Sequence, residues 1–320
     1  MDNLTNLKAI LHSKRANIYY LEKCRVMQKD GRILYLSEAK KEFQYWNIPI
    51  ANTTCLLLGT GTSITQAAMR MLAQAGVLVG FSGSGATPLL MATEIEWMTP
   101  QSEYRPTEYI QGWMQFWFDE TKRLEIAKKL QISRIEFIKK VWSKDQNLQF
   151  EGFDIQDAEL KILFSKAIDQ IPTAYNVNKL LQLEADFTKK LYRYAAKKTD
   201  QIGFIREHSN AEDANAFLNH GNYLAYGLGA TTLWVLGIPH GFAVMHGKTR
   251  RGALVFDVAD LIKDALVLPW AFICAKEKMS EKEFRSQCLQ NFVNHKALDF
   301  MFNQIKEASM FYNKDEKTLS

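Results

Sequence analysis

The alternation of apolar and polar residues divides the chain into a strand-rich beginning and a helical remainder. Residues 16–36 form two apolar, aromatic runs joined by a polar turn at Asp30 and Gly31, the pattern of a β-hairpin. An apolar β-branched run, a helical pattern and a short buried strand follow, at residues 48–61, 65–76 and 77–83. These elements predict a compact, strand-rich N-terminal domain.

From Pro106 onward, apolar residues recur at three- and four-residue spacing, with charged residues between them. This spacing predicts amphipathic helices over four long segments, at residues 107–142, 157–171, 177–198 and 298–312. The fold class predicted is α+β, with a strand-rich domain over residues 1–100 and a larger all-α domain over 101–320. The boundary is expected near residues 98–106, and residues 197–215 are predicted to form a mobile loop between helices.

One segment is long enough to span a bilayer, because residues 215–245 contain no Asp, Glu, Lys or Arg. It nevertheless carries Asn219, His220 and Asn222 together with several glycines, and Pro239 interrupts it. These residues favour a helix buried inside a helical domain over a membrane span.

Composition sets broad limits on the protein class. With 47% hydrophobic and 23% charged residues, the 320-residue chain can bury a large core and is globular. The net charge of +5 mildly favours polyanionic partners. Four scattered cysteines without a CxxC pair argue against a zinc ribbon or a disulfide framework. The N-terminus lacks a signal-peptide pattern, so a reducing cytoplasm is the expected location.

The sharpest chemical pattern follows His246. Asp257, Asp260 and Asp264 fall at positions i, i+3 and i+7, which lie on one face of a helix. Converging carboxylates repel one another unless a cation is bound, and oxygen ligands suit Mg²⁺ while imidazole also suits Mn²⁺. A solvated acidic face is the alternative, but the apolar neighbours of these acids indicate that they need a partner.

Other candidates are less specific. Lys248, Arg250 and Arg251 follow His246 directly and favour a phosphate-containing substrate, although they also fit an ordinary basic loop. Glu184 lies in an apolar helical segment, where a lone glutamate is normally exposed to solvent.

Two further patterns favour structural interpretations. The strand that runs into Gly59-Thr60-Gly61 superficially resembles a dinucleotide-binding turn, but it lacks the third glycine, so a glycine-rich turn is favoured. The aromatic residues around Trp113 to Phe118 have helical spacing, and core packing or a dimer interface explains them better than base stacking.

Taken together, these motifs resemble the universal CRISPR adaptation integrase family, in its type I-F branch. The resemblance covers nearly the whole chain and is carried by the stretches LHSKRANIYYL, YWNIPIANTTCLLLGTGTSITQAAMRMLAQAGVLVGF, TPQSEYRPTEYIQ, LNHGNYLAYGL, LGIPHGFAVMHGKTRRGALVFDVADLIKD and ALDFM. It implies a small N-terminal β-sandwich-like domain that forms a homodimer, and an α-helical catalytic domain.

The resemblance also implies the site. In this family a glutamate on one helix, a histidine after a Gly-Ile-Pro-like turn and acids on the next helix hold a divalent metal. That pattern assigns Glu184, His246 and Asp260 as ligands of Mg²⁺ or Mn²⁺, with Asp257 as a catalytic or supporting residue. Many relatives have Glu where this chain has Asp260. Lys248, Arg250 and Arg251 are the expected DNA contacts near the active centre.

The activity implied is that of a metal-dependent DNA endonuclease and integrase, which inserts foreign DNA into the CRISPR array by 3′-hydroxyl attack on repeat phosphates. The partners implied are double-stranded prespacer and repeat DNA, and a small adaptation protein fused to the type I-F helicase-nuclease. Two alternatives remain at this point. One is a catalytically silent DNA-binding scaffold of the adaptation complex, and the other is a metal hydrolase acting on small phosphate esters.

Overall fold

The computed structural model describes residues 17–39, 42–83, 96–98, 106–207, 213–247 and 252–313. The chain divides into two compact units, Met1–Pro106 and Thr107–Ser320. The first contains two sheets and the second contains mainly helices. This architecture confirms the predicted α+β fold class, with strands first and a larger helical part after them.

The described residues of the N-terminal unit form two four-stranded sheets. One has the strand order β1-β5-β7-β8 and the other has the order β4-β3-β2-β6. The strands are β1 Asn17–Leu21, β2 Cys24–Lys29, β3 Arg32–Ala39, β4 Glu42–Ile48, β5 Thr53–Leu58, β6 Ser63–Ile64, β7 Leu78–Phe81 and β8 Glu96–Met98, and helix α1 spans Gln66–Gln74. The apolar faces of the elements enclose a core that includes Val26, Ile33, Leu56, Leu72 and Val79.

The predicted hairpin is present as β2 and β3, which pair antiparallel with Lys29 opposite Arg32. Asp30 and Gly31 both have positive φ, as a tight two-residue turn requires. The first apolar run, however, is two strands and not one. It breaks at Lys23, whose φ is 51°, and β1 pairs parallel with β5 in the other sheet.

The Gly59-Thr60-Gly61 turn connects β5 to the segment that leads into α1. A Cβ at Gly59 would overlap the side chain of Tyr20, and Gly61 has a φ of +73°. Both glycines therefore have a structural reason, a close approach in one case and a left-handed backbone in the other. Gly59 is buried against Tyr20 of its own unit, whereas Thr60 and Gly61 are exposed.

The helical unit contains α2 Glu108–Trp117, α3 Glu120–Trp142, α4 Gln146–Phe150, α5 Ala158–Gln170, α6 Val177–Lys198, α7 Asp213–Leu236, α8 Ala253–Ile262, α9 Leu268–Lys276, α10 Glu281–Asn294 and α11 Ala297–Ser309. The segment predicted as one helix over residues 107–142 is two, because Asp119 caps α3 by accepting the backbone N–H groups of Thr121 and Lys122. Between α8 and α9, Lys263–Val267 forms a turn of π-helix.

The charge-free segment of residues 215–245 supplies most of α7. Gly229 permits α7 to lie close to α8, since a Cβ there would stand 3.0 Å from the carbonyl oxygen of Val255. Many residues of α7 are buried against neighbouring helices, as predicted for a core helix. Across the described part of the chain, no helix combines the length and apolar character needed to cross a membrane.

Candidate active site

The three acids predicted to share a face lie on α8 and the π-helical turn that follows it. Every residue of α8 is buried, and Asp257, Asp260 and Asp264 are 4%, 3% and 4% exposed. A carboxylate in such surroundings needs a compensating charge or hydrogen bonds. Each of the three acids has a different set of partners, so the solvated acidic face is wrong for this helix.

Asp257 binds the loop that carries His246. Its Oδ2 accepts the backbone N–H groups of Val244, at 2.7 Å, and Met245, at 3.1 Å. Its Oδ1 accepts the backbone N–H of His246 at 3.0 Å and lies 2.7 Å from the ring Nδ1. A carboxylate that accepts a hydrogen bond from Nδ1–H fixes the imidazole tautomer and leaves Nε2 to bind a ligand. Asp257 therefore orients His246.

Two tryptophans of α2 hold the same loop from the other side. The Nε1–H of Trp113 donates to the carbonyl of Phe242 at 3.0 Å, and that of Trp117 donates to the carbonyl of Ala243 at 2.8 Å. The aromatic residues predicted to serve packing thus also position the histidine loop. Phe118 is the exception, because its side chain is 71% exposed.

Asp260 lies beside His246 and Lys263. Its Oδ2 is 3.7 Å from His246 Nδ1, and its Oδ1 contacts the ammonium group of Lys263 on the next helical turn. Burial raises the pKa of Asp260, but the nearby charges of Lys263, His246 and Arg134 outweigh burial and lower it. Burial lowers the pKa of His246, but the bond to Asp257 and the charges of both acids raise it overall. The negative charge of Asp260 and the positive charges of Lys263 and His246 therefore stabilise one another.

Glu184 lies on α6 and binds Arg134 of α3. It is therefore not the unpaired, solvent-exposed glutamate that is usual in a helix. Arg134 Nη1 donates to Glu184 Oε1 at 2.8 Å, and Nη2 donates to Thr188 at 2.6 Å. Arg134 Nε donates to Asp264 at 2.8 Å, and Nη1 also donates to Gln131. Burial lowers the pKa of Arg134, but the charges of Asp264 and Glu184 outweigh it, so the pKa is raised and the guanidinium stays charged.

The predicted residues thus form two clusters. The first contains His246, Asp257 and Asp260, and the second contains Glu184 with Asp264, one helical turn beyond Asp260. Within the ranges that the structure describes, no three His, Cys, Asp or Glu side chains stand close enough together to hold a metal ion. The three predicted DNA contacts, Lys248, Arg250 and Arg251, lie outside the described residues.

The donor set nevertheless fits Mg²⁺ or Mn²⁺. Glu184 and Asp260 supply carboxylate oxygens and His246 supplies Nε2, which are ligands that these ions accept. Within the two clusters, four carboxylates face two permanent cations, so two negative charges remain when His246 is neutral. That remainder equals the charge of one divalent ion. The carboxylates of Asp260 and Glu184 contact Lys263 and Arg134, respectively.

Sequence reasoning missed the two cations, of which Arg134 is buried and Lys263 is partly buried. Lys263 stands between Asp260 and Asp264 in an otherwise apolar segment, so its position in the sequence is itself a signal of pairing. Arg134 lies within the apolar stretch of α3, where an unpaired charge would be costly. Nothing in its spacing identifies its partners, because Asp264 is 130 residues further along the chain.

Comparison with known proteins gives a consistent family assignment. The family profile described as "CRISPR associated protein Cas1" matches residues 18–307. A CRISPR-associated endonuclease Cas1 from Pseudomonas aeruginosa is 54% identical over 317 residues, covering 97% of this chain and 98% of the relative.

Solved structures share the fold at low sequence identity. A TtCas1–DNA complex has a TM-score of 0.63 at 20% identity and covers 91% of both chains. A casposase bound to its integration product has a TM-score of 0.66 at 12% identity, covering 93% of this chain and 91% of that one. With the family profile matching most of its length and a full-length relative more than half identical, this chain belongs to the Cas1 family.

Proposed function

We propose that this protein is a divalent-metal-dependent DNA endonuclease and integrase of CRISPR adaptation. The observation that carries the proposal is the 54% identity to a Cas1 endonuclease over nearly the whole chain, together with an oriented His246 beside buried carboxylates. The TtCas1 structure that shares the fold was determined with DNA, and the casposase was determined with an integration product.

In this proposal Glu184, Asp260 and the Nε2 of His246 hold the metal ion. When bound, Mg²⁺ or Mn²⁺ activates the attacking hydroxyl and neutralises the charge that develops on the scissile phosphate. Asp257 acts through His246, because it fixes the ring and leaves Nε2 directed to the ligand. Arg134 and Lys263 hold the carboxylates in place before the ion arrives.

The reaction proposed is a transesterification. The 3′-hydroxyl of the incoming strand attacks a phosphate of the CRISPR repeat, a new phosphodiester forms, and the repeat strand leaves with a free 3′-hydroxyl. Water in place of the hydroxyl gives a nick. The hydrogen bonds that fix the His246 loop favour positioning of the reacting atoms, which supplies much of the rate in phosphoryl transfer.

The proposed partners are DNA duplexes, a second copy of this chain bound through the N-terminal unit, and a small adaptation protein fused to a helicase-nuclease. They rest on the sequence resemblance. Lys248, Arg250 and Arg251 are proposed to contact backbone phosphates near the centre, so DNA binding should weaken steeply as salt is raised.

The test is strand transfer of a labelled duplex with a 3′-hydroxyl into a leader–repeat substrate. We expect joining with Mn²⁺, none with EDTA, and none with His246→Ala. The matched control is His295→Ala, since His295 is also paired with an aspartate, Asp145 at 3.1 Å, but outside the two clusters. DNA binding by the parent protein without joining or nicking would instead establish the non-catalytic scaffold.

A further inference from the structure

A proline interrupts the helical segment that follows the acids of α8. Pro269 has no backbone N–H, so the carbonyl of Ala265, four residues earlier, lacks the donor that an α-helix would give it. The proline ring also crowds that carbonyl, and the chain widens there into the π-helical turn, in which the N–H of Leu268 donates to the carbonyl of Lys263. Ala265 is fully buried, so its carbonyl needs a donor from elsewhere in the protein.

Trp142 of α3 supplies that donor. Its indole Nε1–H donates to the carbonyl of Ala265 at 3.0 Å, and Trp142 is itself fully buried. The indole is held by two other rings, since Phe153 packs edge-on against it at 5.3 Å between centroids and Tyr194 stacks on it at 6.4 Å. Because a buried carbonyl is costly to leave unpaired, the indole fixes the position of the π-helical turn relative to α3.

The same turn carries Asp264, which is linked to a proposed metal ligand. Asp264 accepts a hydrogen bond from Arg134 Nε at 2.8 Å, and Nη1 of the same guanidinium donates to Glu184 at 2.8 Å. Trp142 and Arg134 lie about two helical turns apart on α3, and they bind adjacent residues of the π-helical turn. Both described hydrogen bonds of the Glu184 carboxylate, from Arg134 and Thr188, go to Oε1, which leaves Oε2 for an ion.

We propose that Trp142 is a positioning residue of the reaction centre and acts together with Pro269. By binding the π-helical turn, it keeps Asp264 against Arg134, and Arg134 in turn holds the carboxylate of Glu184 for a divalent ion. The proposal rests on the proposed function, because it takes Glu184 as a metal ligand. Since the proline creates the need for a donor and the indole meets it, the effects of changing the two residues should be coupled.

The first experiment is a double-mutant cycle on the full chain in EDTA, measured by thermal unfolding. Trp142→Phe keeps an aromatic ring but loses the donor, so Tm should fall by roughly 2–12 °C, the effect of one buried carbonyl left unpaired. Pro269→Ala restores a backbone N–H at that position, and in this background Trp142→Phe should lower Tm by less. The smaller ring loses the same packing in both backgrounds, so the difference reports the hydrogen bond. An equal loss in both would overturn the link between proline and indole.

The second experiment measures the affinity for Mn²⁺ alone, from the electron paramagnetic resonance signal of the free ion. Trp142→Phe should weaken binding of Mn²⁺ by about tenfold, the lower end of the effects seen when outer partners of a metal ligand are changed. The matched control is Tyr194→Phe, which also removes a hydrogen bond from a buried aromatic side chain to a backbone carbonyl, that of Gly152 at 3.0 Å. It should lower Tm and leave the affinity for Mn²⁺ unchanged.

The affinity for Mn²⁺ separates this proposal from the proposed function. If the parent protein and Trp142→Phe bind Mn²⁺ equally well, or if Tyr194→Phe weakens binding as much as Trp142→Phe does, the positioning role of Trp142 is overturned and the metal site stands. A parent protein that binds no Mn²⁺ would contradict the metal-dependent function itself, and the positioning of Glu184 for an ion would fall with it.

Discussion

Replacing Arg134 by methionine removes the charge that joins α3 to two acidic residues on other elements. Methionine keeps much of the length and apolar stem of arginine, so the change is mainly one of charge and hydrogen bonding. Asp264 and Glu184 both lose their guanidinium contacts, and Thr188 loses a donor. The effect on stability should therefore report the cost of uncompensated carboxylates.

The magnitude follows from the burial of the two acids. Removing one partner of a buried ion pair costs about 3–5 kcal/mol, because the other charge is left in a medium of low polarity. The side chain of Asp264 is 6% exposed and meets that condition, whereas Glu184 is 17% exposed and keeps the hydroxyl of Thr188 at 3.1 Å. At about 2–4 °C per kcal/mol for a domain of 150–250 residues, Tm should fall by roughly 6–20 °C.

Thermal unfolding of the metal-free protein, followed by circular dichroism, measures this difference. Arg123→Met is the matched control, since Arg123 is equally buried but its carboxylate partner is exposed. It loses hydrogen bonds worth about 1–2 kcal/mol in total, so its Tm should fall less. If Arg134→Met melts no lower than Arg123→Met, the carboxylates of Asp264 and Glu184 do not depend on Arg134 as argued.

The pH dependence gives a second check on the same variant. Burial raises the pKa of Asp264 even beside Arg134, and loss of the cation should raise it further. A carboxyl whose folded pKa exceeds its unfolded pKa takes up a proton on folding, so its stabilising effect grows as pH falls and disappears as pH rises through the folded value. The Tm difference from the parent should therefore be smaller at pH 5 than at pH 8. A larger difference at pH 5 would contradict this sign.

Two further predictions concern the histidine loop and helix packing. Asp257→Asn retains the size of the side chain but loses one acceptor oxygen, so the ring of His246 loses its fixed orientation. Metal-dependent strand transfer should fall about 10- to 100-fold, while DNA binding measured by anisotropy is retained. Unchanged joining would show that Asp257 does not orient the ring. Gly112→Ala would place a Cβ against the carbonyl of Ser309, so the free energy of unfolding in urea should fall by about 1–3 kcal/mol. Gly241→Ala, which meets open space, should change it by less than about 0.5 kcal/mol, and equal effects would contradict the packing argument.

The sequence predicted the parts of the site that are local. The spacing of Asp257, Asp260 and Asp264 placed them on one buried face, and their apolar neighbours required partners for them. It could not predict that Arg134 is a partner, because that contact depends on how α3 packs against a helix far along the chain. Glu184 came from family resemblance alone, since periodicity describes one helix at a time.

The same limit applies to the fold. Local turn chemistry identified the hairpin at Asp30 and Gly31, because such residues adopt positive φ easily. The break at Lys23 has no such signal. It is explained by the pairing of β1 with β5, which places β1 in a different sheet from β2. The π-helical turn after α8 could not be predicted from the sequence either, since five residues of π-helix have nearly the same apolar pattern as an α-helix.

The distance in sequence between Arg134 and Asp264 affects the nascent chain during translation. During synthesis at about 5–20 residues per second, the 130 residues between them take roughly 7–26 s to emerge from the ribosome. Glu184 and Arg134 are already outside during much of that interval, but His246, Asp257 and Asp260 follow late. A chain that stalls before His246 therefore holds Glu184 and Arg134 without His246, Asp257 and Asp260, and the proposed centre can assemble only after α8 has been translated.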